Sequence, residues 1–178
     1  MKTTLQALAK QATLKGPCIK PSPCTPPDAP HWNGRVTTTL DATPPDVQTA
    51  KATLLIFLNA TLTNKGRQDD RPIRAAAAIL YYEGKEWGHL EFTLGDQVTK
   101  RDTETGSLCP ALALLSSFLT SSLFTGSACL YSRSEAAVKQ FLNLGQHPQQ
   151  HFVVEYANTI HDTLAAHPNL SLSIHHSK

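Results

Sequence analysis

The acidic side chains are the first candidates for chemistry, because carboxylates that converge from separate elements can hold divalent cations such as Mg²⁺. Asp69 and Asp70 stand among lysines and arginines, where a solvated, charge-paired turn is the expected role. Glu135 stands at a predicted helix start, where a negative charge favours the helix dipole. A carboxylate site assembled from these residues together with Asp102 and Glu104 stays an alternative.

The histidines and cysteines lack the spacing of a metal or nucleophile site. His147 and His151 are spaced i, i+4 and resemble half of a metal site, but without a third ligand nearby we expect surface or capping roles. No Gly-x-Ser-x-Gly elbow marks a nucleophilic serine. The cysteine spacing fits neither a zinc site nor a disulfide scaffold, which predicts reduced thiols at Cys18, Cys24, Cys109 and Cys129. The sequence therefore predicts no cofactor and no resident metal.

The basic side chains are the candidates for contacts with phosphate. They cluster in two short stretches that contain Lys65, Arg67, Arg71, Arg74, Lys100 and Arg101. The net charge is only +2, from 16 basic and 14 acidic residues, so no field over the whole protein draws the chain onto nucleic acid or an acidic membrane. Any nucleic-acid binding must be local, and the alternative role of these cations is solubilising surface charge.

Length and composition give the frame that must position these residues. A chain of 178 residues with 40% hydrophobic and 17% charged residues suits one globular domain with an appended arm. Eight of the twelve prolines fall in residues 1–50, which predicts a Pro-rich arm there, with a short helix at 4–14, and a domain at 51–178. The start lacks a secretory signal and no segment suits a membrane span, so an intracellular, nuclear or cytoplasmic protein is expected.

Hydrophobic periodicity predicts the first half of the domain as strands. The continuous apolar run 54–58 suits a central strand covered on both faces. Two more strands follow, joined by Glu83 and Gly84 as a two-residue hairpin. These three strands are expected to form an antiparallel meander.

The second half is predicted to alternate helices with strands. A helix is expected at 105–123, then a strand, then a helix capped by Ser134. His147 and Pro148 open the next helix, and an alternating tail forms the last strand. Strands separated by helices run parallel, so the order β, β, β, α, β, α, α, β predicts an α/β fold. Its mixed five-stranded sheet has three antiparallel strands first and parallel strands later, flanked by helices.

Four strings in this order resemble the ribonuclease H domain, in the version found at the end of fungal non-LTR retrotransposon polyproteins. They are IFLNAT at 56–61, AAAILYYEGKE at 76–86, LYSRSEAAV at 130–138 and LSLSIHHSK at 170–178. The Pro-rich stretch ending in PHWNGRVTTTL is similar to the linker that precedes the domain in those elements. The resemblance implies a ribonuclease H-like fold.

The family cleaves the RNA strand of an RNA/DNA hybrid with two divalent ions held by carboxylates. The resemblance places its first Asp on Asn59, its helix Glu on Ser107 and its third carboxylate on Arg133, with Glu104 as an alternative to Ser107. A cation about 5 Å from a divalent ion costs roughly 6 to 7 kcal/mol at an effective dielectric near 20. A fourth Asp and the family's histidine loop have no counterpart before Lys178.

The resemblance therefore implies a catalytically inactive ribonuclease H-like domain of retrotransposon origin that binds RNA/DNA hybrids or other nucleic acid. Arg133 turns the former metal pocket into a cationic one suited to phosphate. The other expected contacts are Lys100, Arg101, Lys65 and Arg67. Two alternatives stay open: a protein-interaction module that uses the Pro-rich arm or an exposed face of the alanine- and leucine-rich helix, and a residual hybrid ribonuclease. No membrane partner is expected.

Overall fold

The computed structural model describes residues 34–50, 52–63, 73–95, 98–142 and 150–178. In chain order the elements are β1 Val36–Ala42, β2 Thr53–Thr63, β3 Ile73–Tyr82, β4 Lys85–Gly95, α1 Lys100–Gly106, α2 Leu108–Ser121, β5 Ser127–Ser132, α3 Glu135–Leu142, α4 Gln150–Ala166 and β6 Ser171–Ser177.

The strands of the described residues form one sheet in the order β1-β6-β5-β2-β3-β4. Strands β2, β3 and β4 are antiparallel neighbours, whereas β2, β5, β6 and β1 run parallel to one another. This arrangement confirms the predicted α/β class with its three antiparallel strands followed by parallel ones. The sheet has six strands, however, where five were predicted.

The unpredicted strand is β1, which lies in the range 1–50 that the sequence analysis assigns to an arm. It pairs with β6 from Val36 opposite Leu172 to Thr39 opposite His175. β-Branched threonines favour extended backbone, but the partner strand lies at the other end of the chain, so no local pattern reveals the pairing. The division between arm and domain at residue 50 stays a prediction.

The side chain of Arg35 fixes the chain just before β1. Its Nη1 donates to the backbone oxygens of His167 at 3.1 Å and Pro168 at 2.9 Å, and its Nη2 donates to the oxygen of Leu164 at 2.9 Å. The last carbonyls of a helix lack partners within the helix. At the end of α4 the guanidinium of Arg35 acts as the hydrogen-bond donor to such carbonyls. The C-terminal end of α4 and the start of β1 are thereby joined.

Strand β2 is central, as its apolar run predicts. Leu54, Ile56 and Leu58 are buried beneath the helices, and the alternation of side chains along a strand points Phe57 and Asn59 to the opposite face. The helix-covered core is completed by Leu80, Leu108, Ala111, Leu115, Phe118, Leu130, Val138, Tyr156, Ile160, Leu172 and Ile174. The sheet therefore has one face packed on helices and one face on which the described helices do not pack.

The helix predicted at 105–123 begins earlier than expected, at Lys100. Thr99 and Asp102 form a capping box there: the amide of Asp102 donates to Thr99 Oγ1 at 3.1 Å, and the amide of Thr99 donates to Asp102 Oδ2 at 3.1 Å. Both side chains satisfy amides that a helix start leaves without partners. The predicted boundary was wrong because the apolar pattern begins one turn after the cap.

The same helix is also broken, at Ser107, where α1 ends and α2 begins. Pro110 lacks the amide that would bond the oxygen of Gly106 in a continuous helix. Ser107 holds the joint instead, since its hydroxyl donates to the backbone oxygen of Glu104 at 2.6 Å. One predicted helix is therefore two helices with a rigid joint between them.

Two local predictions are confirmed. Glu83 and Gly84 form the hairpin with φ angles of 51° and 78°, as a turn with positive φ requires. Ser134 caps α3, because the amide of Ala137 donates to its Oγ at 3.2 Å. Both features depend only on short sequence signals.

The described cysteines match the expected reduced thiols. Cys109 and Cys129 are half-buried thiols, and the Sγ of Cys109 donates to the hydroxyl of Tyr156 at 3.4 Å. Burial raises the pKa of the Cys129 thiol, partly offset by a hydrogen bond with Tyr131. The Cys109 thiol packs against the core.

Several predicted features lie outside the described residues. They are the helix at 4–14, the helix start at His147 and Pro148, and the cysteines Cys18 and Cys24. Within the described part of the chain, no helix has both the length and the hydropathy needed to span a bilayer.

Candidate functional site

The pairing of β2 with β5 brings the first two candidate residues together. The strands are parallel neighbours with Leu58 opposite Ser132, so Asn59, in the second half of β2, lies next to Arg133, the residue that follows the end of β5. Parallel strands lie about 4.8 Å apart. Both residues line one cleft on the face that the described helices leave open.

Asn59 contributes a neutral amide to this cleft. Its side chain is exposed, and its Oδ1 accepts a hydrogen bond from the backbone amide of Ala60 at 3.0 Å. The amide nitrogen is a donor as well. Position 59 therefore offers hydrogen bonds in both directions but no negative charge.

Arg133 contributes an exposed cation on a fixed turn. The amide of Ser134 donates to Ser132 Oγ at 3.1 Å, and Ser134 Oγ caps α3, so the backbone on both sides of Arg133 is held. Among the described residues no acidic side chain forms an ion pair with Arg133. Its guanidinium is available to an anion.

Ser107 does not reach the cleft, and Glu104 comes closer. Ser107 is 1% exposed and its hydroxyl is committed to the joint between α1 and α2. Glu104 Oε2 accepts a hydrogen bond from Ser134 Oγ at 3.3 Å, and its Oε1 lies 3.6 Å from Lys100 Nζ. The carboxylate on α1 is therefore next to the turn that carries Arg133.

The other acidic residues considered for a rewired site have structural partners where they are described. Asp102 belongs to the capping box of α1. Glu135 pairs with Lys139, and the hydrogen bond with that ammonium lowers the pKa of the Glu135 carboxyl. Asp69 and Asp70 lie outside the described residues.

The donor set does not fit the paired divalent ions that the ribonuclease H resemblance implies. Hard cations require several anionic oxygens, and the set consists of one amide, one guanidinium and the Glu104 carboxylate, which Ser134 and Lys100 already engage. Among the described residues, no three His, Cys, Asp or Glu side chains form a metal-binding group.

Two aromatic rings, Phe57 and Tyr131, line the cleft, and His175 continues them next to Tyr131; we call these three rings the ring row. They are direct neighbours across β2, β5 and β6. The ring centroids of Phe57 and Tyr131 are 5.5 Å apart with planes at 22°, and those of Tyr131 and His175 are 4.9 Å apart at 21°. Tyr81 packs edge-on against Phe57.

The ring row was not predicted from the sequence, although a signal for it exists. Phe57 stands two residues before Asn59, and Tyr131 stands two residues before Arg133. Residues two apart on a strand share a face, so the sequence places an aromatic ring on the same face as each of the two candidate residues. The third ring, His175, becomes visible only with the register of β6.

Burial keeps the ring row uncharged near neutral pH. It raises the pKa of the Tyr131 hydroxyl and lowers the pKa of the His175 ring below 6.5. The charged side chains of the cleft lie at its rim, with Arg133 on one side and Glu91 of β4 on the other. The cleft, of about 470 Å³, is thus an aromatic floor with a cation at one end.

Only two of the five predicted nucleic-acid contacts can be located. Lys100 is exposed and lies beside Glu104, which in turn bonds Ser134, so Lys100 and Arg133 lie on connected elements. The side chain of Arg101 is not described, and Lys65 and Arg67 lie outside the described residues.

No protein-family model and no curated protein sequence matches the chain. A ribonuclease H1 from the archaeon Halobacterium salinarum is 16% identical over 70% of this chain and 84% of that chain, with a TM-score of 0.48. LC11-RNase H1, isolated from compost by a metagenomic approach, is 17% identical over 68% and 82%, with a TM-score of 0.49. The foamy viral protease-reverse transcriptase in complex with an RNA/DNA hybrid is 10% identical over 75% and 18%, with a TM-score of 0.47. Fungal retrotransposon origin stays a prediction.

Proposed function

We propose that the chain is a catalytically inactive ribonuclease H-like domain of fungal retrotransposon origin that binds RNA/DNA hybrids or other nucleic acid. The observation that carries the proposal is the exposed guanidinium of Arg133 beside the neutral amide of Asn59, in the cleft where β5 ends next to β2. The family strings in the sequence place these two residues at carboxylate positions, and neither supplies an anionic oxygen.

The electrostatics of the cleft support inactivity. A guanidinium repels divalent cations, and removal of two anionic ligands weakens any remaining metal contact. Glu104 alone cannot hold two ions, because its oxygens already contact Ser134 and Lys100. The alternative of a residual ribonuclease predicts hybrid cleavage in Mg²⁺ or Mn²⁺, and inactivity predicts none.

The same guanidinium supports binding of nucleic acid. Arginine forms two parallel hydrogen bonds to one phosphate, and each phosphate neutralised by a cation contributes to the salt dependence of binding. Lys100 adds a second exposed cation on α1. Such contacts position the backbone of a nucleic acid without reading its sequence.

The test is binding of a fluorescein-labelled RNA/DNA hybrid over a salt titration. Arg133→Ala should weaken binding about tenfold and reduce the salt slope by about 0.9, the contribution of one phosphate contact. Lys85→Ala is the matched control, because Lys85 is exposed at the hairpin end of the sheet, away from Asn59. Equal losses in the two variants, or binding of neither the hybrid nor a single strand by the unaltered chain, would contradict the proposal.

A protein-interaction module stays a second candidate on one observation. Trp87 is 41% exposed and Leu123 is fully exposed, and Trp87 packs on Phe118, which contacts Phe124. Exposed tryptophan anchors many interfaces. The apolar side of α2 itself is buried in the core, so this surface replaces the helix face that the sequence suggested.

A further inference from the structure

We infer that the ring row and Arg133 together form a binding site for unpaired nucleotides, with bases against the rings and a phosphate at Arg133. The inference rests on the proposed nucleic-acid function and specifies the form of the nucleic acid: a single strand or an unpaired end rather than a closed duplex.

The first step is that the ring row has no role in the helix-covered core. Phe57, Tyr131 and His175 do not belong to the core cluster, and they lie on the face that the described helices leave open. Phe57 and His175 are half-buried, while Tyr131 between them is 7% exposed. Aromatic surface normally lies in a core or an interface, so three aligned rings on a sheet face that no described helix covers suggest a contact with a partner.

The rings of the ring row present their edges, rather than their faces, away from the sheet. Stacked rings on adjacent strands face one another along the sheet, so their edges point away from it. An aromatic edge carries partial positive charge and attracts the electron-rich face of another ring. A base laid flat over the row makes this edge-to-face contact with Phe57 and His175.

The third step is charge complementarity. Arg133 lies two residues beyond Tyr131 on the same face of β5, about 7 Å away along the strand, which is comparable to the distance from a base to its phosphate. On the other rim Glu91 repels phosphates. The phosphate is therefore expected at the Arg133 side of the cleft and its base over the ring row.

The fourth step separates single strands from duplexes. Bases in a duplex are stacked on one another and show only their edges, whereas unpaired bases expose faces that aromatic side chains can contact. A shallow cleft of about 470 Å³ accepts a splayed base but no helix. The contact tolerates any sequence because every base has a face.

The experiment measures binding of the full chain to a labelled oligothymidylate of about 16 nucleotides and to a blunt RNA/DNA hybrid. Phe57→Leu and Tyr131→Leu keep apolar volume and remove a ring, and Phe124→Leu is the matched control because its ring lies in the helix-side cluster. We expect at least about fivefold weaker single-strand binding in the first two variants and none of this loss in the control.

Each outcome distinguishes the inference from the proposed function. Hybrid binding without single-strand binding overturns the inference and leaves the proposed function standing, whereas binding of neither probe overturns both. Unchanged single-strand binding in folded Phe57→Leu and Tyr131→Leu also overturns the inference. Loss of self-association in these variants, without any strand binding by the unaltered chain, would assign the face to a protein and overturn it as well.

A second measurement avoids variants that fail to fold. Ultraviolet crosslinking of the unaltered chain to an oligonucleotide containing 5-bromouridine should give crosslinked peptides that include Phe57 or Tyr131. Crosslinks confined to peptides without a residue of the cleft would overturn the inference.

Discussion

The two faces of the sheet are built from alternate residues of the same strands, yet they differ in burial and polarity. On the helix side Leu54, Ile56 and Leu58 are buried in a continuous apolar core. On the open side Phe57 and Asn59 line a cleft with an aromatic floor and a polar rim. The helix side supplies the continuous apolar core, and the open side presents the cleft. Substitutions on the open side can therefore change the chemistry while the fold is kept.

The largest expected effect is on the free energy of unfolding, and it compares Leu130 in β5 with Arg133 in the turn that follows β5. Leu130 is fully buried on the helix side, and Leu130→Ala should lower the free energy of unfolding by about 2 to 5 kcal/mol. Arg133→Ala on the open side should change it by no more than about 0.5 kcal/mol. Urea unfolding measures both. A large loss in Arg133→Ala would make Arg133 a structural residue and remove the contrast between the faces.

A smaller effect is expected when carboxylates are introduced on the open side. The sequence resemblance places the helix carboxylate on Ser107, but the structure locates Glu104 beside Ser134 and commits Ser107 to the helix joint. The double variant Asn59→Asp/Arg133→Asp should therefore take up Mg²⁺ or Mn²⁺ weakly, with a Kd in the millimolar range, of order 4 kcal/mol. Isothermal calorimetry detects the uptake.

The control for this prediction is a third substitution. Adding Glu104→Gln to the double variant removes a carboxylate with little change in shape, and it should abolish the uptake. If metal binds only when Ser107→Glu is added, Glu104 is not the third ligand. No uptake in any of these variants would mean that the carboxylate positions are misassigned.

Features specified by neighbouring residues were predictable from the sequence. The hairpin at Glu83 and Gly84 and the cap at Ser134 depend on two to four residues, and the apolar run of β2 identifies its central position. Features that need a distant partner were not. Strand β1 forms by pairing with β6. Its β-branched residues were not interpreted as a strand because they lie in the range assigned to the Pro-rich arm.

The candidate site divides in the same way. Asn59 and Arg133 were identified because the residues around each of them match the family strings. The ring row was missed because its alignment depends on the register of β2, β5 and β6, which is not encoded in any one segment. The role of Glu104 depends on a hydrogen bond to Ser134, thirty residues away, and is likewise visible only in the folded chain.

The smallest expected effect concerns pH and the open face. Burial lowers the pKa of His175 in the folded chain below its ordinary 6.5, so on acidification the unfolded chain takes up this proton first. The contribution of neutral His175 to stability is complete above about pH 6.5 and is lost as the pH falls toward the lowered value. His175→Gln should therefore reduce the loss of stability between about pH 8 and about pH 5, measured by urea unfolding. His161→Gln, at an exposed position on α4, should leave that loss unchanged. An equal reduction in both variants would show that burial in the ring row has no special effect on His175, and the two faces would then not differ in how they respond to protons.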